Sequence, residues 1–145
     1  MTFADLTPIT PLIVLALVAL IVLLVIAFAR RHQMVFGLTL LGFAAALLTL
    51  PLVAATLPRQ VTALLLLDRY AFFYWGLLFA AGLIVTLLTY SYLNRQAVQR
   101  EEFYLLLLTA TVGAAVLASS SHFISFFLGL ETLTLSLVVL IAYLY

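Results

Sequence analysis

Residues 11–29 read PLIVLALVALIVLLVIAFA and run straight into Arg30, Arg31 and His32. A stretch of this length without a charge covers about 28 Å as an α-helix, close to the roughly 30 Å hydrocarbon thickness of a bilayer. It predicts a first transmembrane helix. A cleavable signal peptide is the competing expectation, but Asp5 stands where basic residues are usual and no small-residue cleavage site precedes the arginines. The same pattern recurs along the chain. Apolar runs predict further helices at about 34–57, 70–93, 103–119 and 123–145, which makes an all-α, polytopic bundle of about five spans in a single membrane domain, 1–145.

The composition agrees. Of 145 residues, 68% are hydrophobic and 8% charged, and the mean hydropathy is +1.35. Soluble domains are typically about half apolar and a quarter charged, so the surplus apolar surface calls for lipid. There is no cysteine, which excludes disulfides, thiolate metal sites and a cysteine nucleophile on this chain. A net charge of +1 offers no basic field for nucleic acid.

Pro51 falls near the end of the second run, where neighbouring groups can absorb the lost backbone donor. The segment from Gln60 to Asp68, with Leu64 to Leu67, is too short to span and predicts an interfacial hairpin or half-turn. Tyr70, Phe72, Phe73, Tyr74 and Trp75 open the third helix, and Tyr90 and Tyr92 close it, as two aromatic belts at the headgroup layers. With the amino terminus outside, Arg30, Arg31, Arg95 and Arg100 fall on the cytoplasmic side, leaving Arg59 and Arg69 outside; the positive-inside bias favours that orientation. Ala110, Ala114 and Ala118 on the fourth helix, and Ser125, Gly129, Thr132 and Ser136 on the fifth, are stripes of small residues suited to close helix packing.

One residue stands out chemically. Glu131 is the ninth residue of the fifth run, about 12 Å into the hydrocarbon. A carboxylate there costs about 2.5–3.5 kcal/mol on insertion scales, so it is expected to face protein or water. It lies roughly 130° around the helix from the small-residue stripe, which gives that helix two faces that need protein contact. The chain has no Lys to pair with it, since all six basic residues are arginines near predicted span ends. Two readings follow: a neutral structural acid held by Thr134 or a backbone carbonyl, or a proton-relay group that responds to a nearby charge. His32 and His122 are expected to be solvated or helix-capping, with a proton-entry role for His122 as the alternative. Asp68 and Arg69 are expected to pair with loops or water, and Glu101 and Glu102 to meet the dipole of the fourth helix. No phosphate loop, nucleophile elbow, metal-spaced His cluster or haem ligand pair is present.

The stretch from Glu102 to Tyr145, EFYLLLLTATVGAAVLASSSHFISFFLGLETLTLSLVVLIAYLY, resembles the fourth and fifth helices of the antiporter-like membrane subunits of respiratory complex I, the proton-translocating NADH-quinone oxidoreductase. The acidic Phe-Tyr opening, Gly113, the Leu117-Ala118-Ser119 exit and Phe127-Leu128-Gly129-Leu130-Glu131 fall in the order of that family. Leu130 stands where two of the three types of such subunit usually carry Trp. The resemblance implies that Glu131 is the intramembrane glutamate that pairs with a lysine of a later helix during proton transfer. It also implies a multi-pass protein of the bacterial cell (inner) membrane whose partners are the lipid bilayer and the other membrane subunits of complex I. No cofactor is implied on this chain: NADH, FMN, iron–sulfur clusters and quinone belong to other subunits. Family members have about fourteen helices, so the chain is expected to be the amino-terminal third of a longer subunit. The rival readings are a subunit of a multi-subunit cation/proton antiporter or membrane-bound hydrogenase, and a non-catalytic membrane scaffold.

Overall fold

The computed structural model describes residues 7–55, 57, 59–93 and 101–143. After a 3-10 turn at Thr7–Ile9 come five long helices: α1 (Thr10–Phe28), α2 (His32–Ala54), α3 (Arg69–Leu93), α4 (Glu101–Ala118) and α5 (Phe123–Tyr143). All five are long and apolar enough to cross a membrane. Between α2 and α3 the chain forms a short hairpin, β1 (Arg59–Gln60) pairing antiparallel with β2 (Leu66–Leu67).

The helix ends differ from the expected ones in ways the local chemistry explains. α2 begins at His32, directly after Arg31, because the α1–α2 turn needs only three residues. It ends at Ala54 instead of near Leu57, one turn beyond Pro51. α3 opens at Arg69, where Asp68 Oδ1 accepts a 2.7 Å hydrogen bond from the Ala71 amide and so caps the helix. α4 opens with Glu101 and Glu102 in its first turn, the placement that suits the helix dipole. The polar loop expected around Arg95 and Arg100 lies outside the described residues.

The helices alternate in direction, and the two ends of the bundle are tied differently. At one end Arg30, in the α1–α2 turn, lies 3.8 Å from Glu102 at the start of α4. At the other end the hairpin clasps the α4–α5 turn. Leu66 N donates to Ser119 O (2.9 Å), Ser121 N to Leu64 O (3.0 Å), and Ser125 Oγ to the same Leu64 carbonyl (2.7 Å).

The packing order is α1–α2–α3 around one side of α4, with α5 on the other, touching α4 along its span. Leu15 and Val22 of α1, Phe43 of α2, Trp75 and Phe79 of α3, and Tyr104 and Leu108 of α4 are fully buried in this core. The buried threonines satisfy their hydroxyls inside their own helices: Thr39 on Val35 O, Thr86 on Gly82 O and Thr111 on Leu107 O. A span needs such internal bonds because lipid offers no hydrogen-bond partner.

Two expectations about packing are corrected. Trp75 is no belt residue: it is fully buried, and its Nε1–H donates a 2.8 Å bond to Ala115 O on α4. Tyr90 likewise turns inward onto His32 and Phe36, at centroid distances of 5.4 and 4.2 Å. The aromatic rings that remain exposed on α3 are Tyr70, Phe73, Tyr74 and Tyr92. The alanine stripe of α4 is split: Ala110 is buried, and Ala110 and Ala114 border Leu133 of α5. Its members Ala114 and Ala118 line an open groove of about 320 Å³ beside Tyr74, Leu77, Leu78 and Leu117. The seam with α5 is made at Gly113, where an added Cβ would lie 2.8 Å from Leu133 N, and at Gly129, where one would lie 2.8 Å from Leu117 N. With no side chain at either position the two backbones touch, which lets dispersion act over the whole seam.

Candidate functional site

Glu131 stands on α5, about 12 Å from the helix start at Phe123 and about 18 Å from its end at Tyr143. Gly129 and Ser136 are buried against α4 and Ser125 against the hairpin, whereas Thr132 is exposed at the margin of the stripe. Glu131 is on the opposite, exposed side of the helix, among Phe127, Leu128, Leu130 and Leu135. Among the described residues it makes no hydrogen bond and no ion pair. Thr134 does not hold it, because that hydroxyl donates to Leu130 O at 2.8 Å. Thr132 is similarly committed to Leu128 O. The carboxyl group is therefore set at mid-span on a face that the described residues leave open.

The other singled-out residues are far from it. His122 Nδ1 accepts a 3.3 Å bond from the Ile124 amide, so His122 caps α5. Asp68 and Arg69 are at the hairpin end, and Asp68 is a cap instead of a loop partner. His32 is neither solvated nor a cap: its ring stacks on Tyr90, 5.4 Å away and 7° from parallel, and lies 5.7 Å from the Tyr104 ring. This aromatic cluster of α2, α3 and α4 was not foreseen. His32 and Phe36 share a helix face by their spacing of four, but nothing in the sequence pairs them with Tyr90 or Tyr104. Among the described residues the buried Tyr104 hydroxyl has no hydrogen-bond partner. Among the described residues no three His, Cys, Asp or Glu side chains converge in a way that could hold a metal ion.

No protein-family model matches the chain. Individual relatives do. The fold, with five apolar spans and a carboxylate inside one of them, defines a polytopic helical membrane protein. The sequence is 47% identical to NADH-quinone oxidoreductase subunit N of Methylococcus capsulatus over 118 residues, which is 81% of this chain and 24% of that protein. It is 43% identical to NADH-quinone oxidoreductase subunit N of Ectopseudomonas mendocina over 123 residues, 81% of this chain and 25% of that one. The chain is thus a homologue of NADH-quinone oxidoreductase subunit N, as its resemblance to the antiporter-like subunits leads one to expect. It spans about a quarter of the length of the curated relatives it matches.

Proposed function

We propose that this chain forms part of a membrane subunit of a proton-translocating NADH-quinone oxidoreductase, respiratory complex I, and that Glu131 takes up and releases a proton on its transfer path. The observation that carries this reading is the position of Glu131: mid-span, on the face of α5 turned away from its own bundle, with no partner among the described residues. An ionisable group held at that depth on a helix that packs on one neighbour implies a further protein surface, since a carboxylate facing lipid is costly. The names of the homologous proteins support the enzyme complex.

On this reading the partners are other membrane subunits of the complex and the lipid bilayer, and electron transfer from NADH to quinone takes place at cofactors held elsewhere in the assembly. The protein sits in the bacterial inner membrane with its amino terminus outside. Arg30 and Arg31, at the end of the bundle that α4 starts from, then face the cytoplasm. Glu131 contributes by passing a proton to or from a group of the assembly brought up to its face of α5.

The test is E131Q in the full-length subunit of the assembled complex, in sealed membrane vesicles. The side chain keeps its shape and loses its titration. NADH-driven proton uptake, read with a pH-sensitive dye, is expected to fall on the order of tenfold or more, with the complex assembled in normal amount. Proton uptake equal to wild type would sink the proposal and leave the scaffold reading.

A further inference from the structure

Glu131 can present its carboxyl group in a fixed direction only if α5 cannot turn about its own axis. α5 rests on α4 along the span and on the hairpin at its start. The glycine contact of Gly113 with Gly129 sets the coarse rotation of α5, because turning the helix would bring a Cβ against the α4 backbone at Leu117 N, and the finer angle is left to the contacts along the same edge. Ser125 Oγ anchors the first turn of α5 on Leu64 O. Beyond Glu131 the fixing contact is Ser136. Its Oγ lies 3.0 Å from Thr109 Oγ1 of α4 and 2.7 Å from Thr132 O. The proton of Thr109 is directed to the carbonyls of Leu105 (3.1 Å) and Leu106 (3.0 Å), so its oxygen accepts, and the single Ser136 proton is shared between Thr109 Oγ1 and the nearer Thr132 O.

The geometry then decides where the acid points. Ser136 and Gly129 are both buried on α4. With about 3.6 residues per turn, Glu131 lies roughly 140° around from Ser136 and roughly 160° from Gly129, nearly opposite the seam. The anchors at Ser125 and Ser136 stand one on each side of Glu131 along the axis, separated by about 16 Å. Holding a rod at two points along one edge fixes the direction of the opposite edge.

We propose that Ser136, hydrogen-bonded to Thr109, is a positioning residue that sets the rotation of α5 and thereby the face on which Glu131 presents its carboxyl group. This rests on the proton-transfer reading of Glu131. The titratable groups of the elements around α5 include Tyr74 of α3, which lines the groove with Ala114 and Leu117 near the level of Glu131. On α4 the groups are Glu101, Glu102 and Tyr104, about 16 Å or more along the axis from the level of Glu131. At the hairpin end Asp68, Arg69 and His122 lie near the start of α5, about 12 Å away along the axis.

The experiment compares S136A, T109V and T109S with E131Q in the full-length subunit of the assembled complex. The readout is the pH profile of NADH-driven proton uptake, alongside NADH:quinone reductase activity and the amount of assembled complex. S136A and T109V each remove one side of the bond. Average interhelical hydrogen bonds in membranes bias an orientation about threefold, so the expected shift of the profile is up to about half a pH unit in each. The double variant should shift no further than either single, since one bond is lost once. T109S keeps the hydroxyl and restores the wild-type profile. If E131Q abolishes uptake while S136A and T109V follow the wild-type profile, the positioning role is wrong and the proton-transfer reading stands. If E131Q leaves uptake unchanged, the underlying reading fails. Should S136A not assemble, T109V carries the test, because valine matches threonine in shape.

Discussion

Replacing Gly113 with Ala adds one methyl group at the point where α4 and α5 are closest, and its effect can be worked from the coordinates. The new Cβ would stand 2.8 Å from Leu133 N, 3.1 Å from Gly129 O and 3.2 Å from Leu133 Cα, against about 3.4 Å for an ordinary contact. All three atoms are backbone, so no rotamer change can relieve the clash. α5 must retreat by 3.4 − 2.8, or about 0.6 Å. That retreat stretches the Ser136–Thr109 bond from 3.0 Å to about 3.6 Å, outside hydrogen-bonding range. Overpacking of this kind costs about 1–3 kcal/mol, and the lost bond adds about 0.6 kcal/mol. Alanine's better helix propensity returns about 1 kcal/mol at most. The clash wins, and the α4–α5 seam weakens by about 0.6–2.6 kcal/mol. The assay is a cross-link. The chain has no native cysteine, so T109C/S136C places a reporter pair across the seam, read by protection from maleimide labelling in the full-length subunit. The pair itself removes the Ser136–Thr109 bond, so G113A adds only the clash in this background and is expected to slow cross-linking on the order of fivefold. Adding G37A, where nothing lies within 4 Å of the new methyl, should leave it unchanged. Equal rates for G113A and the parent pair would refute the close-approach argument.

Three further outcomes are expected, each read as the thermal midpoint of the detergent-solubilised complex or full-length subunit. Y104F removes a buried hydroxyl that has no partner among the described residues, so stability should hold or rise by up to about 1 kcal/mol; a clear loss would mean that the hydroxyl is bonded. D68A removes the cap on the Ala71 amide and should cost about 1 kcal/mol, with D68N retaining most of it. W75F deletes the 2.8 Å bond to Ala115 O and part of a fully buried ring. It should cost about 1–3 kcal/mol, although Ser119 N and Oγ still satisfy that carbonyl.

What could be read without coordinates was whatever is measured along the chain. The span of 11–29 between Pro11 and Arg30 fixes a helix because its length matches the bilayer and its lack of charge forbids water. Glu131 could be found, and its depth assigned, by counting residues from the turn at Ser119–His122. The small face at Ser125, Gly129 and Ser136 was readable because polar and tiny residues contrast with their apolar neighbours.

Directions around the helices were decided only in three dimensions. α1 and α3 are apolar on every side, so no face stands out as the inner one. Tyr74 and Trp75 are adjacent and aromatic, yet only Trp75 turns inward, because Ala115 O stands where its indole can reach. Of the small residues on α4, Gly113 is where the α5 backbone comes closest, since the absence of a Cβ, not mere smallness, permits backbone contact. Length and charge placed the carboxylate of Glu131 inside the membrane, but the packing of α5 on α4 alone decided that it faces outward from its own bundle.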